Sequence, residues 1–129
     1  MKSHDQLCAD AADFLLSHGY TVDFEVPVKV YTGCGGYLQA PHYRIGYIDV
    51  LGIRENPDEW IVIECKTRIE KWSAGDVVRQ LDGYANSPDI VRAAIRCLWT
   101  DTPISPAART LLGVRDIILR EELIEVLGC

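Results

Sequence analysis

The nine residues WIVIECKTR, from Trp60 to Arg68, constrain the fold of this chain more than any other segment. Residues 60–63 are all apolar and predict a buried strand. Glu64 and Lys66 follow without a turn, and because side chains alternate along a strand, the two point to the same face. An acid and a base side by side at a strand end form either a salt bridge or half of an active site.

The composition is that of an ordinary globular protein. With 129 residues, 48% of them hydrophobic and 25% charged, the chain can bury a core, which predicts one domain over residues 1–129. Its longest apolar run, residues 60–63, is too short to cross a membrane. Aspartates at positions 5, 10 and 13 interrupt the N-terminal segment, which therefore does not resemble a signal peptide. We expect an intracellular, cytoplasmic protein with no membrane partner.

The cysteines and the net charge exclude several classes of function. The five cysteines form no CxxC pair, so we expect reduced thiols and neither a zinc site nor an iron–sulfur cluster built from ligands close in sequence. The net charge of −6 argues against nonspecific binding of polyanions. Any nucleic-acid hypothesis has to overcome that charge.

The predicted elements follow the order αβββαβαβ. Apolar residues at helical spacing predict a first helix from Ser3 to Leu16, with Gly19 just beyond its end. Alternation predicts the next strand, with five apolar residues on one face: Val22, Phe24, Val26, Val28 and Val30. Strands over residues 43–53 and 59–68 flank the turn-rich linker RENPD, so the three strands are expected to form an antiparallel meander.

The second half of the chain is predicted to alternate helices and strands. Ser73 and Asp76 have the spacing of a capping box at the start of a helix over residues 73–87. The remaining predicted elements are a strand at 91–99, a helix at 105–113 and a strand at 114–119. Residues 121–127 fit either a helix or a strand.

Asp49 is a candidate site residue because it lies in GYIDVLG, among apolar residues. A buried carboxylate without a partner is costly, and strand pairing across RENPD would bring Asp49 near Glu64. Adjacent carboxylates repel each other, and a hard divalent cation such as Mg²⁺ relieves that repulsion. Lys66 would then lie beside the metal. Alternatively, Lys66 only neutralises Glu64, and Asp49 caps a turn.

The segments GYIDVLG and EWIVIECKT together resemble the PD-(D/E)xK nuclease superfamily. In the following helix, Gln80 and Tyr84 match the Gln-x-x-x-Tyr element of RecB-like members, and their i, i+4 spacing puts both on one helical face. The resemblance runs from about Glu25 to Trp99. It implies an α/β, restriction-endonuclease-like αβββαβ core with a central mixed sheet flanked by helices.

The resemblance also implies a Mg²⁺- or Mn²⁺-dependent nuclease that hydrolyses phosphodiester bonds. It implies the following metal ligands: Asp49, Glu64 and the backbone carbonyl of Cys65. Lys66 would orient or help deprotonate a water, Gln80 would hold that water or a phosphate oxygen, and Tyr84 would support Gln80. A further acidic ligand would come from Glu25 or, less favourably, from Asp5, although Glu25 fits a solvent-facing position equally well.

This sequence departs from the family pattern in two places. Ile48 stands where many members have proline before the aspartate. The cysteines that hold an iron–sulfur cluster in some relatives have no counterpart at matching spacing, so no such cluster is expected.

Local charge offsets the negative net charge in the expected nucleic-acid interface. Four cations and one aromatic residue surround the site in sequence: Arg44, Arg68, Lys71, Arg79 and Trp72. Trp72 is expected to stack on a base, and Arg92 and Arg96 on the next strand would extend the basic strip. We expect nucleic acid as the partner, DNA rather than RNA.

The small basic strip also predicts a homodimer, because two strips would double the phosphate contacts. The apolar segments ARTLLG, DIIL and ELIEVL are the candidates for its interface. Two other classes of function remain open: a catalytically silent nucleic-acid-binding or assembly module of the same fold, and a protein-interaction subunit with an acidic surface. The complete Asp, Glu and Lys set argues against the silent module.

Overall fold

A five-stranded sheet in the order β1-β2-β3-β4-β5 forms the centre of the computed structural model, which describes residues 2–34 and 41–128. The elements are α1 (His4–Leu16), β1 (Thr21–Cys34), β2 (Pro41–Arg54), β3 (Glu59–Lys66), α2 (Ala74–Ala85), β4 (Ala94–Thr100), α3 (Pro106–Val114), β5 (Ile117–Leu119) and α4 (Arg120–Leu127). Strands β1 to β3 form an antiparallel meander, and β4 and β5 continue the sheet parallel to β3. The predicted α/β class with a central mixed sheet flanked by helices is confirmed.

Helices cover both faces of this sheet because β3 and its neighbours are apolar on both sides. Residues 61–67 are all buried. Val62 packs in a cluster with Leu81 of α2, whereas Ile63 packs in a second cluster with Leu15 of α1. The face that carries Val62, and therefore Glu64 and Lys66, is the α2 face; the face that carries Ile63 and Cys65 is the α1 face.

The apolar alternation of β1 reverses near Glu25, which has a left-handed backbone conformation with φ of 48°. Val22 packs against the α1 cluster, whereas Val26 packs against the α2 cluster. The predicted single apolar face of this strand is therefore wrong, and Phe24 is 52% exposed. A glutamate seldom adopts positive φ, so the residue type does not indicate the reversal.

The side chains of β2 also change the face to which they point, at the same level as those of β1. Ile48 belongs to the α2 cluster and Val50 to the α1 cluster. The pairs Phe24–Val50 and Val26–Ile48 keep one register across the reversal. Asp49 therefore lies at the point where the strand changes the face to which its side chains point.

The predicted helix starts are confirmed, and most strand ends differ from the prediction by a few residues. Ser3 and Ser73 cap α1 and α2 in capping boxes. Strand β3 ends at Lys66 and not at Arg68, and β4 begins at Ala94, so residues 91–93 precede it. The C-terminal segment, which fitted either element, forms the helix α4.

The apolar segments proposed for a dimer interface contribute mainly to the core. Their buried members are Leu112, Ile117, Leu119 and Leu123. Leu111, Ile124 and Val126 of these segments are nevertheless exposed. A further group of exposed apolar side chains lies on the β1–β2 hairpin, at Phe24, Tyr31, Tyr43, Ile45 and Tyr47. A homodimer remains a prediction, but those C-terminal segments have less free apolar surface than the sequence suggested.

None of the helices in residues 2–34 and 41–128 is both long enough and apolar enough to span a membrane.

We predict that Gly46→Ala destabilises the protein by about 1–3 kcal/mol, the usual cost of overpacking. A Cβ at this position would lie 2.8 Å from Val30 Cγ2 and 2.9 Å from Tyr84 Cε1, and both side chains are buried. Gly113→Ala is the control, because nothing lies within 4 Å of its added Cβ. Urea denaturation measures both free energies of unfolding, and equal values for the two variants would contradict the packing described here.

Candidate functional site

Pairing of β2 with β3 brings Asp49 and Glu64 to the same level of the sheet. The ladder runs from Arg54–Glu59 to Val50–Ile63, and the next residue on each strand is one of the two acids. Asp49 Oδ2 accepts a hydrogen bond of 2.8 Å from the Cys65 backbone N–H. This bond holds the Asp49 carboxylate against the peptide unit that follows Glu64.

Glu64 and Lys66 are in the contact that their spacing allows, with Lys66 Nζ 3.4 Å from Glu64 Oε1. Both side chains are nearly inaccessible to solvent, with 7% of Glu64 and 10% of Lys66 exposed. The second oxygen, Glu64 Oε2, is buried and has no hydrogen-bond partner within the described residues. A buried acceptor without a partner is costly, so Lys66 alone does not satisfy this carboxylate.

Burial raises the pKa of Glu64 to about 8, and the negative charge of Asp49 adds to the shift. The Lys66 ammonium opposes both effects but does not cancel them. In the absence of a cation, the site therefore favours a protonated Glu64 near neutral pH. A bound divalent cation would compete with that proton.

His4, at the start of α1, is a site residue that the sequence argument missed. Its Nε2 lies 3.2 Å from Asp49 Oδ2, and its ring nitrogens lie 3.8 and 3.9 Å from Cys8 Sγ. Burial lowers the pKa of His4, but the charge of Asp49 and the hydrogen bond to it outweigh burial, so the net pKa is raised. The i, i+4 spacing of His4 and Cys8 on a helix was the only local signal.

The two acids considered as further ligands lie at the edge of this region. Glu25 occupies the position on β1 level with Asp49, and its side chain is exposed. Asp5 is also exposed. Both line a cleft of about 210 Å³ on the α1 side together with His4, Cys8 and Asp49. Glu25 therefore faces solvent, which is one of the two alternatives that the sequence left open. Its backbone still lies beside Asp49 in the sheet.

A larger cleft of about 380 Å³ lies on the α2 side. Its lining residues are Arg44, Lys66, Lys71, Trp72, Asp76, Arg79 and Gln80. Four of these seven side chains are cationic and only one is acidic, so we call this cleft the cationic cleft. Its local charge is positive although the net charge of the chain is −6. Arg44, Lys71, Trp72 and Arg79 therefore lie where a nucleic-acid interface was expected.

Arg68 does not belong to the cationic cleft. Strand β3 ends before it, and Thr67 and Glu70 exchange hydrogen bonds of 3.0 and 3.2 Å that turn the chain. The Arg68 guanidinium then donates to the Asp101 carbonyl at 3.0 and 3.3 Å. Its assignment to the nucleic-acid interface assumed a longer strand and is not supported by this position.

Acidic partners neutralise several other predicted cations. Arg92 lies 3.3 Å from Asp58, and Arg96 pairs with Asp82. Arg92 also precedes β4 and does not lie on the strand, contrary to the prediction. The basic strip is therefore shorter than expected and is confined to the cationic cleft.

Gln80 and Tyr84 occupy different depths although they share a helical face. Gln80 lines the cationic cleft with Lys66, and its Oε1 is buried without a hydrogen-bond partner in the described part of the chain. Tyr84 is only 6% exposed and lies in the core beside Val30. Burial raises the pKa of Tyr84 to about 12, and the charges of Glu64 and Asp49 add to the shift.

Comparisons with known proteins support the fold alone. No protein-family model and no curated protein matches this chain. The chain is similar to the crystal structure of AF1548, a protein of unknown function, with a TM-score of 0.62 and 19% sequence identity. The similarity covers 87% of this chain and 54% of that one, so the chain spans about half the length of its structural neighbour.

We predict that the metal-free protein loses stability as the pH rises toward about 8. The pKa of Glu64 is raised in the folded state above its ordinary value of 4.5, so the folded state binds the extra proton. The stabilisation that this proton gives the folded state is complete below pH 4.5. It is lost as the pH rises from there through the folded-state pKa of about 8. Urea denaturation in the presence of a chelator across this range measures the effect.

Glu64→Gln should remove most of this pH dependence, because the amide keeps the shape of the protonated acid and does not titrate. Glu55→Gln is the control, since Glu55 is exposed on the turn between β2 and β3. If wild type and Glu64→Gln showed the same pH dependence, Glu64 would not titrate as described.

Proposed function

We propose that this protein is a Mg²⁺- or Mn²⁺-dependent nuclease of the PD-(D/E)xK type that hydrolyses phosphodiester bonds of nucleic acid. One observation carries the proposal: Asp49 and Glu64 lie at one level of the sheet, Lys66 contacts Glu64, and a buried Glu64 oxygen lacks a hydrogen-bond partner in the described residues. Lys66 also lines the cationic cleft, so the cleft adjoins this group of residues. Cytoplasmic localisation, expected from the composition, remains part of the proposal.

The residues present fit a hard divalent cation. Asp49 and Glu64 would hold it through carboxylate oxygens, which Mg²⁺ prefers, with the carbonyl of Cys65 as a further ligand. Glu64 Oε2 is the atom that gains most from a cation, because it has no hydrogen-bond partner among the described residues. When bound, such a cation neutralises charge on a phosphate and lowers the pKa of a water.

Lys66 would provide a positive charge in the proposed reaction. Its ammonium contacts Glu64 and also lines the cationic cleft, so it can reach a phosphate oxygen or a water in that cleft. Gln80, whose amide oxygen lacks a partner in the described residues, would accept a hydrogen bond from that water. Tyr84 packs beneath them and positions α2 against the sheet.

The other residues of the cationic cleft would bind the backbone of the substrate. Arg44, Lys71 and Arg79 offer phosphate contacts, although Arg79 also pairs with Asp76. Trp72 donates its indole N–H to the Thr67 carbonyl at 3.1 Å, which fixes a half-buried ring whose exposed part can stack on a base. So few contacts give weak, salt-dependent binding, which is why we retain self-association as part of the proposal.

We predict that Asp49→Asn and Glu64→Gln each reduce cleavage by on the order of 10³-fold or more without unfolding the protein. Thermal stability without metal should stay the same or rise, because like-charge repulsion is removed. The assay uses labelled single-stranded DNA, duplex DNA and RNA with Mg²⁺ and with Mn²⁺. Asp23→Asn, which changes an exposed acid on β1, is the matched control.

Full activity in either site variant would exclude the assigned ligands. Calorimetry with Mn²⁺ on wild type and on Asp49→Ala separates the alternatives. Metal binding by the wild type without cleavage of any substrate would favour the catalytically silent module. Absence of both metal and nucleic-acid binding would favour the protein-interaction subunit.

Lys66→Ala is expected to remove most of the cleavage rate while Mn²⁺ affinity stays equal or increases, because a positive neighbour of Glu64 is lost. Lys71→Ala is the comparison, since Lys71 lines the same cleft, whereas the lysine paired with Glu64 is Lys66. It should raise KM and change the salt dependence while kcat stays near the wild-type value. Loss of Mn²⁺ binding in Lys66→Ala would instead indicate a structural role for the lysine.

A further inference from the structure

A second set of metal-binding atoms lies on the α1 side of Asp49. One ligand atom from each of His4, Cys8 and Asp49 lies within 4.8 Å of the other two. Imidazole nitrogen, thiolate sulfur and carboxylate oxygen together form a donor set typical of Zn²⁺, whereas Mg²⁺ takes oxygen ligands. These residues also line the cleft of about 210 Å³, which gives a cation a route from solvent.

Two of the three separations between these atoms match a formed zinc site, and the third, between the Cys8 and Asp49 ligand atoms, is within 4.8 Å. Ligand atoms about 2.0 to 2.3 Å from Zn²⁺ in a tetrahedron lie roughly 3 to 4 Å from one another. His4 Nε2 lies 3.2 Å from Asp49 Oδ2, and the His4 ring nitrogens lie 3.8 and 3.9 Å from Cys8 Sγ. Three protein ligands leave a fourth position for a water, which the open cleft can supply.

This set and the proposed nuclease site use opposite faces of the sheet and share one residue. Glu64 and Lys66 belong to the α2 face, whereas Cys8 extends from α1 on the other face. Asp49 lies between them, because β2 changes the direction of its side chains there. A cation held on the α1 side would therefore occupy the carboxylate that the nuclease site requires.

We propose that His4, Cys8 and Asp49 bind Zn²⁺, and that this binding inhibits the nuclease by withdrawing Asp49 from the Mg²⁺ or Mn²⁺ site. The inhibition rests on the proposed function, whereas zinc binding does not. Irving–Williams preferences favour Zn²⁺ over Mg²⁺ and Mn²⁺ at sites with nitrogen and sulfur ligands. Zinc therefore competes effectively at concentrations far below those of Mg²⁺.

Zinc binding is tested on the whole chain by calorimetry with Zn²⁺ and by absorption with Co²⁺, under a phosphine reductant that keeps thiols reduced. The wild type should bind one Zn²⁺ at this site, and bound Co²⁺ should give a thiolate-to-cobalt charge-transfer band. Cys8→Ser should lose that band and bind Zn²⁺ at least about tenfold more weakly. Cys97→Ala is the control, because Cys97 is a buried thiol outside the cluster.

His4→Gln is a second variant in case Cys8→Ser does not fold, and it should also weaken Zn²⁺ binding. Inhibition is measured as Mg²⁺-dependent cleavage with added Zn²⁺, which should fall in the wild type and persist in Cys8→Ser. Zinc binding unaffected by either variant, or absence of the cobalt band in the wild type, would overturn the site. If Zn²⁺ left cleavage unchanged or increased it, the proposed inhibition would be overturned. If no cleavage occurred at all, the proposed nuclease activity would be refuted, and the zinc-binding result would still stand.

Discussion

The antiparallel pairing of β2 with β3 is the interaction on which the site depends. It places Asp49 and Glu64 at one level, where the Cys65 N–H holds one carboxylate and the Lys66 ammonium contacts the other. Neither contact satisfies Glu64 Oε2, and burial of that side chain makes the deficit costly. The sheet thus brings together two acids whose mutual repulsion requires a proton or a cation.

The reversal of side-chain direction in β1 and β2 determines what surrounds these acids. Without this reversal, the Asp49 side chain would contact groups on only one face of the sheet. With it, Asp49 lies level with Glu64 of the α2 face and also lines the α1-side cleft with His4 and Cys8. One carboxylate is therefore beside two chemically different sets of groups, the Glu64 carboxyl group with its Lys66 partner and the nitrogen and sulfur atoms of His4 and Cys8.

Charge segregation explains how an acidic chain can present a surface for polyanions. Several cations outside the cationic cleft are paired with acids, as Arg92 is with Asp58 and Arg96 with Asp82. Within the cleft, Asp76 is the one lining acid among the described residues. The net charge of −6 therefore describes the body of the molecule and not this cleft.

Local patterns in the sequence were sufficient to predict most helices and strands. They were also sufficient to predict that Asp49 and Glu64 lie close together. A run of apolar residues predicted β3, serine caps predicted α1 and α2, and a short turn predicted the hairpin that joins Asp49 to Glu64. These features depend on residues close in sequence, where periodicity and turn chemistry decide the conformation. The antiparallel meander followed from them.

Tertiary structure decided the features that depend on contacts between distant segments or on backbone conformations that residue type does not reveal. The docking of α1 brought His4 and Cys8 to Asp49. Their i, i+4 spacing indicates that the two residues are neighbours on the helix but gives no signal of the contact with Asp49. The positive φ of Glu25 reversed a strand that alternation described as regular. A turn after Lys66 moved Arg68 to another surface, because hydrogen bonds between Thr67 and Glu70 ended the strand where the sequence pattern continued.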